Sequence, residues 1–125
     1  MVFVAGASGG IGMAASKMLL ERGARVALHY RSRAEGLEGL LQEYGAEKVV
    51  LVKADLTRRD EVESAVAEAL KRFGKLDAFL STVGTALRIK PFLDTPDDLV
   101  DLTIATELRS AITIIRAVLP RIDSA

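Results

Sequence analysis

The alternation of short apolar runs with segments of helical period constrains the fold of this chain more than any other feature. Four runs rich in Val, Leu and Phe have the length of buried strands, at residues 2–5, 25–30, 48–53 and 76–83. Amphipathic segments separate them, and three of these end at a glycine that can close the last helical turn, namely Gly23, Gly45 and Gly74. The order predicts an α/β fold in which a parallel sheet carries helices on both faces.

Two of the predicted helices begin with capping signals. Thr57 is followed by Asp60 and Glu61, and Thr95 is followed by Pro96 and two aspartates. A threonine side chain can accept a hydrogen bond from a free N–H of the first turn, and acidic residues there face the positive end of the helix dipole. We therefore expect Thr57 and Thr95 to be N-caps.

The strongest chemical signal lies between the first apolar run and the first helix, where Gly6, Gly10 and Gly12 give the spacing G-x-x-x-G-x-G. Such glycines permit a tight turn, a close approach of a pyrophosphate to the backbone, and close packing of helix on strand. The free N–H groups at the start of the helix then face the phosphates. The strand before, the helix after and a second strand about 20 residues on favour dinucleotide binding over a structural glycine turn without a ligand. The candidate residues in this loop are Gly6, Ser8, Gly9, Gly10, Ile11 and Gly12.

The end of the second apolar run distinguishes between two cofactors. A site that prefers NAD(H) places an acid here for the ribose 2′-hydroxyl, whereas this chain has Arg31 and Ser32, and its next acid is Glu35. A guanidinium and a hydroxyl suit a 2′-phosphate. The sequence therefore predicts that NADP(H) is preferred over NAD(H), with a solvated basic loop as the alternative.

Composition excludes several other classes of function. The 125 residues have a formal net charge of zero, which argues against nucleic-acid and acidic-membrane partners. Cysteine is absent and His29 is the single histidine, so we expect no metal site and a structural or partly exposed His29. No signal peptide is evident and no apolar run approaches the roughly 20 residues that span a bilayer, so we expect a cytoplasmic protein.

These motifs resemble the short-chain dehydrogenase/reductase family over the whole chain. The family's T-G-x-x-x-G-x-G loop is matched at residues 5–12, with alanine for threonine, and residues 29–32 resemble NADPH-dependent members such as 3-oxoacyl-carrier-protein reductases. Asp55 and Leu56 match the pair after the family's third strand, which implies that Asp55 bonds the adenine amino group and that Leu56 belongs to the same site. The resemblance implies a Rossmann-like three-layer α/β/α fold with about four strands in the order 3-2-1-4. It also implies that residues 1–125 form a single NAD(P)-binding domain.

The region of the fourth strand departs from the family's pattern. The family's N-N-A-G motif is Ser81-Thr82-Val83-Gly84 here, so only Gly84 is carried over to the implied cofactor site. The family's catalytic asparagine corresponds to Glu107, a doubtful catalytic group. Its carboxylate could face the cleft, or it could form a salt bridge with Arg109 or Lys90.

The family's catalytic groups lie in a part of its pattern that these residues do not match. The chain has two tyrosines, Tyr30 and Tyr44, and neither has a lysine four positions on. In the family a tyrosine of the Tyr-x-x-x-Lys motif protonates the developing alkoxide while a serine orients the carbonyl. We therefore expect the chain to lack the catalytic part of the family and to be catalytically incomplete as it stands. Three interpretations stay open: part of an oxidoreductase, a non-catalytic NADP(H) sensor or regulatory module with a protein partner, or a fold whose cofactor binding has lapsed.

The last predicted helix, over residues 97–122, is apolar on more than one face. Its apolar side chains point in several directions: Ile112, Ile114, Ile115, Val118 and Leu119. The fourth strand would also form an open edge of the sheet. We expect a homo-oligomer through the last helix (97–122) or through the edge of the fourth strand. The alternative is a helix covered by its own domain.

Overall fold

The computed structural model describes residues 1–84 and 90–122. Its sheet has four strands: β1 (Val2–Ala5), β2 (Val26–Tyr30), β3 (Val49–Lys53) and β4 (Ala78–Ser81). All three pairings are parallel, and the order is β3-β2-β1-β4. The predicted parallel sheet and its order 3-2-1-4 are therefore confirmed.

In the described part of the chain, five α-helices connect or follow the strands: α1 (Gly10–Glu21), α2 (Glu35–Tyr44), α3 (Arg59–Phe73), α4 (Asp97–Thr103) and α5 (Ser110–Val118). A π-helical segment, Ile104–Arg109, joins α4 to α5, and short 3-10 turns occupy Phe92–Asp94 and Leu119–Arg121. Within residues 1–84 and 90–122, no helix combines the length and apolar character needed to cross a bilayer.

The helices lie on both faces of the sheet, as predicted. Alternate residues of β1 and β2 point to opposite faces, because successive side chains of a strand do so. On one face α1 and α2 pack on the strands through Leu20, Leu37 and Leu40, which meet Val4, Val26 and Leu28. On the other face α3 and α5 pack through Val62, Val66, Ala69, Ile114 and Val118, which meet Phe3, Ala27 and Val52. The result is the three-layer α/β/α arrangement expected from the sequence.

Glycines end the first three helices, as expected. Gly23, Gly45 and Gly74 have φ angles of 85°, 83° and 78°. Gly74 donates its N–H to the Leu70 carbonyl at 2.7 Å, and Gly45 donates to the Leu41 carbonyl at 2.9 Å. Each glycine thereby satisfies a carbonyl of the last turn in a conformation that a Cβ would disfavour.

The predicted strand boundaries were less accurate at β4 than elsewhere. β1 has the predicted bounds, β2 and β3 each begin one residue later, and β4 is two residues shorter at both ends. Leu76 lies before β4 and forms a single parallel bridge with Ile122. After Ser81 the Thr82 N–H still donates to the Ala5 carbonyl at 2.9 Å, and the Thr82 hydroxyl bonds the Ala5 and Gly6 carbonyls.

Both predicted N-caps were wrong. Arg58 and Pro96 occupy the N-cap positions of α3 and α4, and neither helix has a side-chain cap. The Thr57 hydroxyl bonds the Asp55 carboxylate instead, and the Thr95 hydroxyl donates to the Pro91 carbonyl at 3.2 Å. Thr57 and Thr95 each lie one residue before the N-cap, and each hydroxyl bonds a group of its own preceding segment.

The predicted single helix over 97–122 is divided by the π-helical segment. Thr103, Thr106 and Thr113 each donate a hydroxyl to the carbonyl four residues earlier, as does Ser110 to Thr106. Such bonds compete with the backbone ladder and bend helices. The wider π-helical turn contains Thr106 and Glu107. Glu107 is the residue that the sequence analysis considered as a group facing the cleft.

Candidate functional site

A cavity of about 350 Å³ opens at the carboxyl ends of the strands. It lies where the strand order changes direction, with β2 and β3 on one side of β1 and β4 on the other. Ligands of open parallel sheets bind at such points. The lining comes from the β1–α1 loop, the ends of β2, β3 and β4, and the helix after β4: Gly6, Ser8, Gly9, His29, Arg31, Ala54, Asp55, Leu56, Thr57, Thr82, Val83, Gly84, Thr106 and Ser110.

The β1–α1 loop is packed so tightly that two of its glycines have no room for a side chain. Gly6 has a φ of 76°, and a Cβ there would lie 3.1 Å from the Thr82 carbonyl carbon. A Cβ on Gly12 would lie 2.2 Å from the Gly6 carbonyl oxygen and 2.8 Å from the Ala7 Cα. Gly10 differs, because no heavy atom lies within 4 Å of the position of its Cβ. The turn and the packing of α1 on it therefore require Gly6 and Gly12, whereas the fold itself does not require Gly10.

The N-terminus of α1 lies at this cavity, because its N-cap residue contributes to the lining. Gly9 is the N-cap residue, no side chain caps the helix, and the first turn holds no acidic residue. The first N–H groups of a helix have no partner inside the helix. Together with the positive end of the helix dipole, they can bind an anionic group.

His29 and Thr82 hold the Gly6 peptide from opposite sides. The Gly6 N–H donates to Nδ1 of His29 at 3.1 Å. The Thr82 hydroxyl lies 3.0 Å from the Ala5 carbonyl oxygen and 3.1 Å from that of Gly6. The imidazole also bonds the Ala54 carbonyl through Nε2 at 2.9 Å, so His29 joins the loop to the end of β3. His29 is buried, with 3% of its surface exposed, which agrees with the structural role expected from the sequence.

Asp55 is fixed by hydrogen bonds in the loop between β3 and α3. Its Oδ1 accepts from the Thr57 N–H at 2.9 Å and from the Thr57 hydroxyl at 2.7 Å, while its own N–H donates to Glu61 at 2.7 Å. These bonds from Thr57, aided by the charges of Arg31 and Arg58, hold the pKa of the Asp55 carboxyl below its ordinary value. The side chain is therefore an ionised acceptor with a fixed orientation on the rim of the cavity.

Arg31 and Ser32 follow β2 at the exposed mouth of the cavity. Arg31 contributes to the lining, close enough to Asp55 for its charge to act on that carboxylate. Ser32 is exposed and lies outside the lining. The guanidinium can therefore reach a ligand in the cavity without losing its own hydration.

The β4 side of the cavity consists of Thr82, Val83 and Gly84 together with Thr106 and Ser110. Glu107 is outside the lining, but its carboxylate is near: a Cβ on Gly84 would lie 3.6 Å from Oε1. The family's catalytic asparagine corresponds to Glu107, so a carboxylate borders Gly84 where the resemblance implies an amide.

The sequence identified about half of the cavity. Seven of its candidate residues contribute to the lining: Gly6, Ser8, Gly9, Arg31, Asp55, Leu56 and Gly84. Four do not, of which Gly10, Ile11 and Gly12 form the first turn of α1, and Ser32 follows Arg31. The residues that were missed are His29, Ala54, Thr57, Thr82, Val83, Thr106 and Ser110. Three of these, Ala54, Thr57 and Val83, are direct neighbours of predicted residues, and His29 and Thr82 each lie two positions from one. Thr106 and Ser110 are four positions apart, which places them on one face of a helix.

Comparisons with known proteins identify one protein family for this chain. The family model described as short chain dehydrogenase matches residues 1–125. An L-rhamnose 1-dehydrogenase (NAD(P)(+)) of Sphingomonas sp. is 33% identical over 93% of this chain and 46% of its own length. An NADP-dependent mannitol dehydrogenase of Hypocrea jecorina is 40% identical over 67% of this chain and 34% of its own length.

A solved structure shows the same fold. The crystal structure of a short-chain dehydrogenase/reductase (glucose/ribitol dehydrogenase) from Brucella melitensis superposes with a TM-score of 0.87 at 31% identity, over 98% of this chain and 51% of that one. The chain spans about half the length of the curated relatives it matches. Since the family model matches residues 1–125 and the fold superposes on a solved structure with that family's name, the chain belongs to the short-chain dehydrogenase family.

Proposed function

We propose that this chain is a single domain that binds NADP(H) and serves as the cofactor-binding half of a short-chain dehydrogenase/reductase-like oxidoreductase. The observation that carries this proposal is one continuous cavity that joins the glycine loop to Arg31 and Asp55 on one side and to Gly84 on the other. A dinucleotide has a matching sequence of parts: a base, a phosphorylated sugar, a central pyrophosphate and a second base.

Each part of the cavity suits a different part of the cofactor. The N–H groups at the start of α1, with the exposed Ser8 hydroxyl, would hold the pyrophosphate. The Asp55 carboxylate would accept from the adenine amino group, and Leu56 would lie against the base. Gly84 would border the nicotinamide, which supplies a hydride in this family's chemistry.

The preference for NADP(H) rests on the mouth of the cavity. Arg31 is a cation on the lining, and residues 31–34 contain no acid that could accept from a ribose 2′-hydroxyl. A guanidinium can instead donate two bonds to a 2′-phosphate. A relative named as NADP-dependent supports this preference.

Calorimetric titration of the purified chain with NADPH and with NADH tests the proposal. Tight binding of NADPH and weaker binding of NADH are expected. Gly10→Ala should weaken the binding of both, because its new methyl group would meet the pyrophosphate while nothing in the free protein opposes it. Gly39→Ala in α2 is the matched control, since it adds the same atom with equal space in a helix away from the cavity.

Two results would contradict the proposal. A folded chain that binds neither dinucleotide would leave the glycine loop as a structural turn. Equal affinity for NADPH and NADH would remove the assigned role of Arg31 while leaving dinucleotide binding intact.

We further propose that these 125 residues bind cofactor without completing the reaction. Tyr30 and Tyr44 lack the lysine that would lower the pKa of a catalytic tyrosine, and neither residue contributes to the cavity. Residues 1–125 would position the cofactor, and proton transfer to a substrate oxygen would need groups supplied by other residues. Binding of NADPH without turnover of added carbonyl compounds is the expected result, and steady turnover by the purified chain would contradict it.

A second candidate function is a non-catalytic NADP(H)-binding sensor or regulatory module. Two observations favour it: Thr82 replaces an asparagine of the family motif, and the Glu107 carboxylate borders Gly84 where the family has its catalytic asparagine. The two candidates differ in what restores activity. Glu107→Asn should help an oxidoreductase assembled with its missing catalytic groups and should do nothing for a sensor.

Self-association is proposed through the helix that follows β4. Its outer face carries five exposed apolar residues at intervals of three or four: Ile104, Leu108, Ile112, Ile115 and Leu119. Such a stripe buries area when it packs on a second copy. Ile112→Asp should give a monomer in analytical ultracentrifugation while Arg116→Ala should not, and a monomeric unaltered chain would contradict the proposal.

A cytoplasmic location is proposed from the absence of cysteine, and cell fractionation would test it.

A further inference from the structure

Gly6 lines the cavity, and its backbone is held by one side chain of β2 and one that follows β4. Its N–H donates to His29 Nδ1 at the end of β2, and its carbonyl lies 3.1 Å from the Thr82 hydroxyl beyond β4. Gly6 has a positive φ and begins the turn that delivers the N-terminus of α1 to the cavity. Any displacement of this peptide would therefore move the donors that face the ligand.

The hydrogen bonds of His29 allow only one tautomer. A backbone N–H can only donate, so Nδ1, which receives the bond from Gly6, must carry no proton. A carbonyl can only accept, so Nε2, which lies 2.9 Å from the Ala54 oxygen, must carry the proton. The ring is thus a neutral acceptor toward the loop and a donor toward β3.

We propose that His29 is a positioning residue for dinucleotide binding: its neutral imidazole holds the Gly6 peptide in the binding geometry, and its protonation releases the loop. This inference rests on the proposed function. A proton on Nδ1 would point at the Gly6 N–H, so two donors would face each other and the loop would have to move away.

The surroundings of the ring favour the neutral form. Burial lowers the pKa of His29 below its ordinary value, while the bond to Ala54 and the charge of Asp55 oppose this shift. The loop from Ala5 to Gly12 carries no ionisable side chain, and neither do Ser81 and Thr82. The charged groups of the neighbouring segments are Arg31 after β2, Asp55, Arg58 and Glu61 around the start of α3, and Glu107 near Gly84. Binding should therefore be intact near neutral pH and should fail only under more acidic conditions.

Nuclear magnetic resonance tests the two hydrogen bonds of His29 directly. His29 is the single histidine, so the imidazole nitrogen signals need no assignment by mutation. The neutral ring should be the Nε2–H tautomer, it should titrate below about 6.5, and the Gly6 amide signal should move along the same titration curve. An Nδ1–H tautomer, or a Gly6 amide that stays still while His29 titrates, would overturn the inference.

Calorimetry with NADPH then measures the effect on binding. His29→Asn keeps an acceptor for the Gly6 N–H but cannot take up the proton, whereas His29→Leu removes the acceptor at similar size. About one pH unit below the midpoint of the His29 titration, roughly one molecule in ten is competent, so affinity of the unaltered chain should fall roughly tenfold relative to His29→Asn. Comparing the two proteins at each pH cancels the ionisation of the cofactor's own 2′-phosphate, which titrates near pH 6.

The outcomes separate this inference from the proposed function. Near pH 8, above the ordinary range of a histidine, His29→Leu should bind more weakly than the unaltered chain, and His29→Asn should recover most of the loss. If the leucine variant does not fold, the ratio between His29→Asn and the unaltered chain still decides the matter. A ratio that does not change with pH would overturn the role of His29 and leave the proposed function standing. Failure of the unaltered chain to bind NADPH or NADH at any pH would overturn both.

Discussion

The two sides of the cavity are built in different ways. The β2–β3 side (His29, Arg31 and residues 54–57) consists of residues at the end of a parallel strand or in the short segment after it. The β4 side (residues 82–84 with Thr106 and Ser110) combines the end of a half-exposed edge strand with a helix that lies about 20 residues further along the chain. The first side follows the family's pattern at Arg31 and Asp55, whereas the second departs from it at Thr82 and Glu107.

This difference shows which part of a binding site a strand can determine by itself. A residue that follows a parallel strand reaches the ligand edge of the sheet whatever helix comes next. A helical residue reaches that edge only if the helix has the right bend and rotation. Substitutions on the two sides should therefore have different consequences.

The largest effect is expected from Gly12→Ala, which disrupts both sides together. The added Cβ would lie 2.2 Å from the Gly6 carbonyl oxygen and 2.7 Å from the Thr82 hydroxyl, and the backbone cannot give way without moving the loop. We expect a loss of about 3 kcal/mol or more in the free energy of unfolding, measured in urea. Gly39→Ala should instead be neutral or stabilising by about 0.5–1 kcal/mol. Similar losses in the two variants would contradict this explanation.

Arg31→Ala should affect the β2–β3 side alone. Loss of a charge-assisted contact to the 2′-phosphate should weaken NADPH binding by about 1.5–3 kcal/mol, or roughly 10- to 100-fold, and leave NADH binding nearly unchanged. Arg33→Ala is the control, since Arg33 is an exposed neighbour outside the cavity lining. Calorimetry measures all three proteins, and equal losses for NADPH and NADH would contradict phosphate recognition.

Thr82→Val tests the contribution of the β4 side of the cavity. The substitution keeps the shape of the side chain and removes the hydroxyl that bonds the Ala5 and Gly6 carbonyls. We expect a loss of about 1 kcal/mol in unfolding free energy, and weaker binding of NADPH and NADH by the same factor. Thr82→Ser, which keeps the hydroxyl, should behave like the unaltered chain. A change in the preference between the two cofactors would show that the two sides are not separate.

Thr57→Val should have the smallest effect and concerns the charge of the β2–β3 side. Without the hydroxyl bond, the pKa of Asp55 should rise toward its ordinary value, which carbon NMR of the carboxyl group measures. A lowered pKa in the folded state stabilises the protein above the unfolded value of about 4, and this stabilisation is lost as the pH falls through the folded value. The variant should therefore lose part of the pH dependence of stability in that acidic range. Thr95→Val, which removes a hydroxyl bond to Pro91, should leave Asp55 unchanged.

The fold was largely predictable because each strand and helix of the first 75 residues has a strong local pattern. Buried runs gave β1, β2 and β3 to within one residue, and Gly23, Gly45 and Gly74 marked the ends of the helices. The predicted caps were wrong because α3 and α4 each begin one residue later than a cap at Thr57 or Thr95 requires, and sequence spacing does not fix a helix start to that precision. The predicted end of β4 was two residues too late. The hydroxyl of Thr82 bonds a carbonyl 76 positions earlier in the chain, and no local pattern indicates that contact.

The candidate site divides in the same way. Local sequence identified Gly6 and Arg31, since each directly follows a strand, and the family resemblance identified Asp55 two positions after β3. His29 was expected to be structural or partly exposed and is buried, but its two partners lie 23 and 25 positions away, and no local pattern indicates them. Thr106 lies in the π-helical segment and Ser110 begins α5, and the rotation of that helix, which brings both to the cavity, is a property of the folded chain.

The sequence by itself determined the parallel sheet, the glycine turn and the cation at the mouth of the cavity, because backbone sterics and strand burial act between near neighbours. Only the tertiary structure decided that His29 and Thr82 hold the same peptide, and that Glu107 borders Gly84. Those contacts join segments that are distant in the chain, and they form only when the strands are side by side.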